Sequence, residues 1–217
     1  MMNEEIYLKS VEEHKLEFLF RDSVYAIPSD YFPLNETPII FTPYNTYKLK
    51  NNKIKNTFNS LNYYLGYCYS NSENLYNALK KIGIQDRDIK CYVGWLFCGN
   101  VLPIHHCWVV YKDKYLLDLS PMLNLEKMYK KCVNMKEDEV RNYFTKAFML
   151  LNKSSNSEKG VFGNVKQNYL YIGSECMPRD GKAIYNNLVS AYPNHLICNN
   201  VDQNGLTDMQ KRIYKKL

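Results

Sequence analysis

Leu75, Ala78, Leu79 and Ile82 recur at the spacing of one helix face, and Gly83 follows where a helix commonly closes in the left-handed conformation. Lys80 and Lys81 occupy what would be the last turn, where the helix dipole favours cations. The spacing predicts a helix from about Cys68 to Ile82. Behind it, IKCYVGWLF (89–97) is β-branched and aromatic, which predicts a strand with Ile89, Cys91, Val93, Trp95 and Phe97 on one face. Pro103 is expected to close the following connection. HCWVVY (106–111) and YLLDL (115–119) then flank Lys112, Asp113 and Lys114 in the manner of a β-hairpin.

The flanks read differently. In EEIYLKSVEEHKLEFLF (4–20) the early apolar positions fit a helix while Leu16, Phe18 and Phe20 alternate, and we expect a helix there. Pro28, Pro33, Pro38 and Pro43 break any long element and predict a stretch wrapped over the surface. Beyond Pro121, LEKMYKK (125–131) and EDEVRNYFTKAFMLLNK (137–153) are helical in pattern, KSSNSEKG (153–160) is a polar loop and NYLYIG (168–173) a strand. Helices are expected near Ala183–Ala191 and Thr207–Leu217. The chain thus reads as one α+β domain, residues 1–217. Its Cys-bearing helix and antiparallel strands lie at about 60–121, followed by a helical extension at about 122–217.

Composition narrows the function. The 217 residues carry 28 Lys+Arg against 22 Asp+Glu, a net charge of +6 that favours acidic partners but lacks the clustered basicity of a dedicated nucleic-acid binder. No apolar run exceeds five residues, as in AFMLL (147–151), so no membrane span is expected. The start, MMNEEIYLKSVEEHK, is acidic and polar, and the expected location is the cytoplasm. Seven cysteines, none paired as C-x-x-C, suggest packing residues and neither a disulfide framework nor a zinc site. Phosphate-binding glycine loops are missing, so no cofactor is expected.

Position singles out one thiol. Cys68 falls at the predicted N-terminus of a helix, where unpaired amides and the dipole stabilise an anion and can hold the oxyanion of a tetrahedral intermediate. The hairpin supplies partners. With a three-residue loop, Tyr111 pairs with Tyr115 and Trp108 with Asp118, so His106 shares a face with Asp118. With a two-residue loop the parity flips and His105 takes that place; the sequence leaves both registers open. Asp118 stands between Leu117 and Leu119, and a carboxylate in such an apolar strand requires a partner.

GYCYSNS (66–72) opening a helix, PIHHCWVV (103–110) and YLLDLSP (115–121) together resemble the transglutaminase-like and papain-like cysteine enzyme superfamily. The resemblance covers about residues 60–121. It implies Cys68 as nucleophile, His106 as general base and acid, Asp118 as its orienting partner, and a Cys helix packed on an antiparallel sheet. Asn62, six residues before Cys68, matches the oxyanion amide of the papain-like members. Leu119 stands where the family usually has Pro, and Cys107 where it commonly has Ala. The implied function is a thiol-dependent amide or ester hydrolase, deamidase or acyltransferase acting on a peptide, protein or other acyl substrate. Each residue also has an ordinary structural use: Cys68 as a small core residue, His106 bonded to a carbonyl, Asp118 in a strand-end turn. The alternative function is a non-catalytic module binding protein or nucleic acid on the same fold.

Overall fold

Alternation decides the N-terminal segment. β1 (Tyr7–Glu12), β2 (Lys15–Phe20) and β3 (Ser23–Ile27) form a three-stranded antiparallel sheet in the order β1-β2-β3, where the sequence had suggested a helix. A helix would set Leu16 and Phe18 some 200° apart around its axis, whereas a strand puts them on one face. Both are fully buried, paired with Ile27 and Tyr25 of β3. The computed structural model describes residues 7–12, 15–20, 23–27, 38–63, 67–98, 101–120, 135–136, 139, 143, 160–167 and 169–191. Apart from 135–136, 139 and 143, the stretch of the helices expected within 125–153, the helix expected at 207–217 and most of the 153–160 loop lie outside the described residues.

The remaining elements follow in the order β4 (Ile39–Phe41), α1 (Asn52–Ser60), α2 (Cys68–Lys81), β5 (Ile89–Cys98), β6 (Val101–Tyr111), β7 (Tyr115–Asp118), β8 (Val161–Gly163), β9 (Tyr169–Glu175) and α3 (Pro178–Ala191). Six strands make an antiparallel sheet in the order β4-β9-β5-β6-β7-β8, so the architecture is α+β. α1 escaped the sequence reading: Asn51 caps it by accepting from the Ile54 amide at 3.1 Å, and Ile54 and Phe58, one turn apart, are its buried face. Pro103 lies inside β6 and does not end it. The β5–β6 register shifts between Leu96 and Cys98, opposite this stretch, and a bulge is where a residue without an N–H fits a ladder.

Both sheet faces are covered, which is why residues 91–97 are buried without alternation. On one face α1 and α2 bring Ile54, Phe58, Leu75 and Leu79 against Ile89, Cys91, Val109, Tyr111 and Leu117. On the other, Phe41, Tyr92, Trp108, Val110, Leu116, Val161 and Tyr171 form a second core. Gly173 lets this core close, since a Cβ there would come within 2.7 Å of the Trp108 ring. The β6–β7 hairpin closes with Tyr111 opposite Tyr115, the three-residue register, its turn using left-handed Lys112 and Asp113 (φ 51° and 55°).

Candidate active site

β7 stops at Asp118, and its pairing with β6 ends at Val109–Leu117, so β6 has an uncovered edge from Trp108 toward His105. α2 runs along that edge. Ser72 Oγ donates to the Cys107 carbonyl at 2.8 Å, satisfying an acceptor that β7 no longer reaches. Cys68, one helical turn earlier and the first residue of α2, lies beside the imidazole of His106 and contributes to raising its pKa. The backbone explains the order of events: the helix starts at Tyr67, whose carbonyl takes the Asn71 amide at 2.8 Å. The amides ahead of Asn71 in that first turn have no intrahelical acceptor.

His106 is 6 % exposed and Asp118 1 % exposed, and His106 Nε2 meets Asp118 Oδ2 at 2.7 Å. Because an ionised carboxylate only accepts, Nε2 carries the donating proton and Nδ1 is the nitrogen left for the Cys68 thiol. Two further donors hold the carboxylate. The Ser120 amide donates to Oδ1 at 2.8 Å and the Tyr171 hydroxyl to Oδ2 at 2.9 Å. Asn71 Nδ2 in turn donates to Ser120 Oγ at 3.3 Å, tying the turn after Asp118 back to α2. Trp108 lies beneath the imidazole, its ring nearly parallel to it at 6.3 Å between centroids. Burial pulls the His106 pKa down, but the Asp118 charge, its hydrogen bond and the neighbouring Cys68 outweigh it and lift the imidazolium to about 10.

The neighbouring histidine enters a different chamber. His105 Nδ1 is hydrogen-bonded to the Tyr69 hydroxyl, its ring stacks on Tyr185 of α3 at 4.5 Å, and Trp95 meets it edge-on at 4.8 Å. Burial first, then the neighbouring Cys68, push the Tyr69 hydroxyl far above its ordinary range, so it stays protonated and donates to His105. Successive residues of α2, Cys68 and Tyr69, thus face successive residues of β6, His106 and His105.

Of the four residues singled out by sequence, Cys68, His106 and Asp118 come together. Asn62 is exposed after the end of α1 and makes none of the contacts that join the other three among the described residues. Tyr171, Ser120, Asn71 and Tyr69 were missed. Tyr171 lies on β9, 53 residues beyond Asp118, and no local pattern announces the contact. Tyr69 was visible only as the neighbour of Cys68. Burial pushes the thiol of Cys91 up to about 12, that of Cys176 up to about 11 and that of Cys107 well above the ordinary thiol range. Among the described residues no group of three or more His, Cys, Asp or Glu side chains is arranged to hold a metal, and no helix is long and apolar enough to cross a membrane. No protein-family model matches the chain, and no curated protein or solved structure matches it.

Proposed function

We propose that the chain is a thiol-dependent acyl-bond enzyme in which Cys68 is the nucleophile, His106 the general base and acid, and Asp118 the residue that orients the imidazole. The observation that carries this reading is the placing of Cys68, at the start of α2, beside a His106 whose Nε2 is hydrogen-bonded to the buried Asp118 carboxylate. A histidine merely filling space needs neither a carboxylate at one nitrogen nor a thiol at the other. The likeness to transglutaminase-like and papain-like enzymes rests on these same three residues.

In the proposed reaction Cys68 and His106 act as a thiolate–imidazolium pair, the proton already lying on His106 Nδ1, and the sulfur bonds to the carbonyl carbon of an amide or ester. The carbonyl oxygen becomes an oxyanion facing the free amides of the first turn of α2. Collapse breaks the bond to the leaving group, which departs with the proton from His106, and leaves a thioester on Cys68. Water or an amine then attacks the thioester, losing its proton to His106, and the sulfur leaves the product, which restores the thiolate–imidazolium pair. Asp118 never touches substrate. It holds the tautomer and stabilises the imidazolium.

Alkylation tests the reading before any substrate is known. Iodoacetamide at neutral pH, mapped by peptide mass spectrometry, is expected to modify Cys68 well before Cys91, Cys107 and Cys176, whose thiols are protonated at that pH. Replacing His106 by Gln should slow modification of Cys68 and leave the other three unchanged. A Cys68 that reacts no faster than Cys107, or only on unfolding, overturns the proposal and leaves a non-catalytic module.

A further inference from the structure

At the other end of the β6–β7 hairpin, six residues and about 20 Å along the strand from His106, a cleft of about 370 Å³ opens between two stretches of chain. One wall is Lys48, Leu49, Lys50 and Asn51; the other is Tyr111, Lys112, Lys114 and Tyr115. All four lysines are exposed. Among the described residues none of the four has a carboxylate within ion-pair distance. The acid of the turn itself, Asp113, is taken by Lys90 at 3.1 Å, on the far side of the hairpin. Four like charges are therefore gathered in one cleft with no counter-charge among the described residues, an arrangement that costs repulsion unless an anion enters.

The walls are fixed, so the charges are held and not merely crowded. The Tyr47 amide donates to the Lys114 carbonyl at 3.2 Å, and the Lys112 amide to the Asp88 carbonyl at 2.7 Å. Behind the first wall, Gly163 of β8 has φ +93°, and a Cβ there would come within 2.6 Å of the Leu49 amide. The Lys48–Lys50 backbone is thus pressed onto the sheet.

We infer that this cleft binds an extended acidic polypeptide segment. Exposed lysines lining an open cleft suit contacts spread along a chain, whereas a single small anion is normally enclosed by buried donors. Nucleic acid fits less well, because single strands draw sequence-independent affinity from stacking on free aromatic faces. Tyr111 and Tyr115 are stacked on each other at 5.9 Å, and Lys112 and Lys114 lie over them at 5.4 Å each. The inference does not rest on the thiol chemistry of Cys68.

The experiment is fluorescence anisotropy of a labelled oligoglutamate peptide against the full chain at low ionic strength. Saturable binding is expected, weakening as salt shortens the screening length to ~8 Å at physiological strength. Lys48→Glu and Lys112→Glu should each weaken it on the order of tenfold, from the lost attraction and the new repulsion. Lys182→Glu, an equal change of net charge at an exposed position on α3, should leave it nearly unchanged. Unaltered thermal midpoints show that the variants fold. Absence of saturable binding, equal weakening by Lys182→Glu, or tighter binding of an oligothymidylate of matched charge would each overturn the assignment.

Discussion

His105 and His106 are consecutive on one strand, equally buried, and opposite in chemistry. The His106 side of β6 offers a carboxylate held by three donors and the thiol of Cys68. The His105 side offers the Tyr69 hydroxyl and the rings of Tyr185 and Trp95. One side can accept and return a proton with a stabilised imidazolium. The other is built as a clamp, an apolar box closed by a hydroxyl that fixes the start of α2 against the sheet. The pair teaches that a histidine's function follows from what the neighbouring strand and helix bring to its face.

The hardest test of that contrast is to remove each histidine in turn. His106→Gln should cut single-turnover acylation by an acyl probe about a thousandfold, within the range for losing a general acid and base. His105→Gln should cost far less in rate and more in melting temperature. Equal rate losses would erase the distinction between the two sides.

Asp118→Asn comes next. Amide for carboxylate keeps the shape, so the fold should largely survive, while acylation falls about a hundredfold with little change in substrate affinity, because in the proposed mechanism Asp118 acts only in the chemical step. An unchanged rate would remove Asp118 from the catalytic set. Tyr171→Phe, which deletes one donor to the same oxygen, should cost only about 1 kcal/mol of stability.

A smaller effect is legible in pH. The folded His106 titrates near 10, above its ordinary 6.5, so folding favours the imidazolium. That contribution is complete below about pH 6.5, declines as pH rises, and is gone once pH passes about 10. The gap in thermal midpoint between the wild type and His106→Gln should therefore narrow steadily from pH 6.5 to 10. A gap that widens over that interval would mean that burial outweighs Asp118.

The smallest effect is expected from the clamp. Tyr69→Phe removes the hydroxyl that binds His105 and leaves the ring in place. It should lower kcat several-fold at constant KM, by loosening the first turn of α2, and leave the pH profile of Cys68 alkylation in position. A shift of that profile would instead tie Tyr69 to the thiol's proton.

Local order carried much of this protein. The α2 boundaries, the β5 strand, the β6–β7 hairpin, the strand at β9 and the helix at α3 were readable because periodicity, turn residues and the closing Gly83 agree within a few residues. The N-terminal segment was misread because an early helical pattern competed with an alternation that only strand pairing rewards: Leu16 and Phe18 are buried against partners on β3. Pro103 was misread because a bulge admits a proline that a regular ladder would reject. α1 was missed because its signal is a single Asn cap and two apolar residues one turn apart.

By itself the sequence determined a Cys at a helix start, two histidines and an Asp on adjoining strands, and two registers that differed by one residue in the loop. Tertiary structure decided the rest. A three-residue turn with two left-handed residues set the parity and gave Asp118 to His106. The early end of β7 left an edge along which α2 could lie, so that a thiol on one side of the sheet reached an imidazole on the other. The donors on Asp118 and the lysine cleft join residues far apart in the chain, such as Asp118 with Tyr171 and Lys48 with Lys112. Such meetings depend on how strands are ordered in the sheet, and a periodicity measured over one turn or one hairpin carries no information about that order.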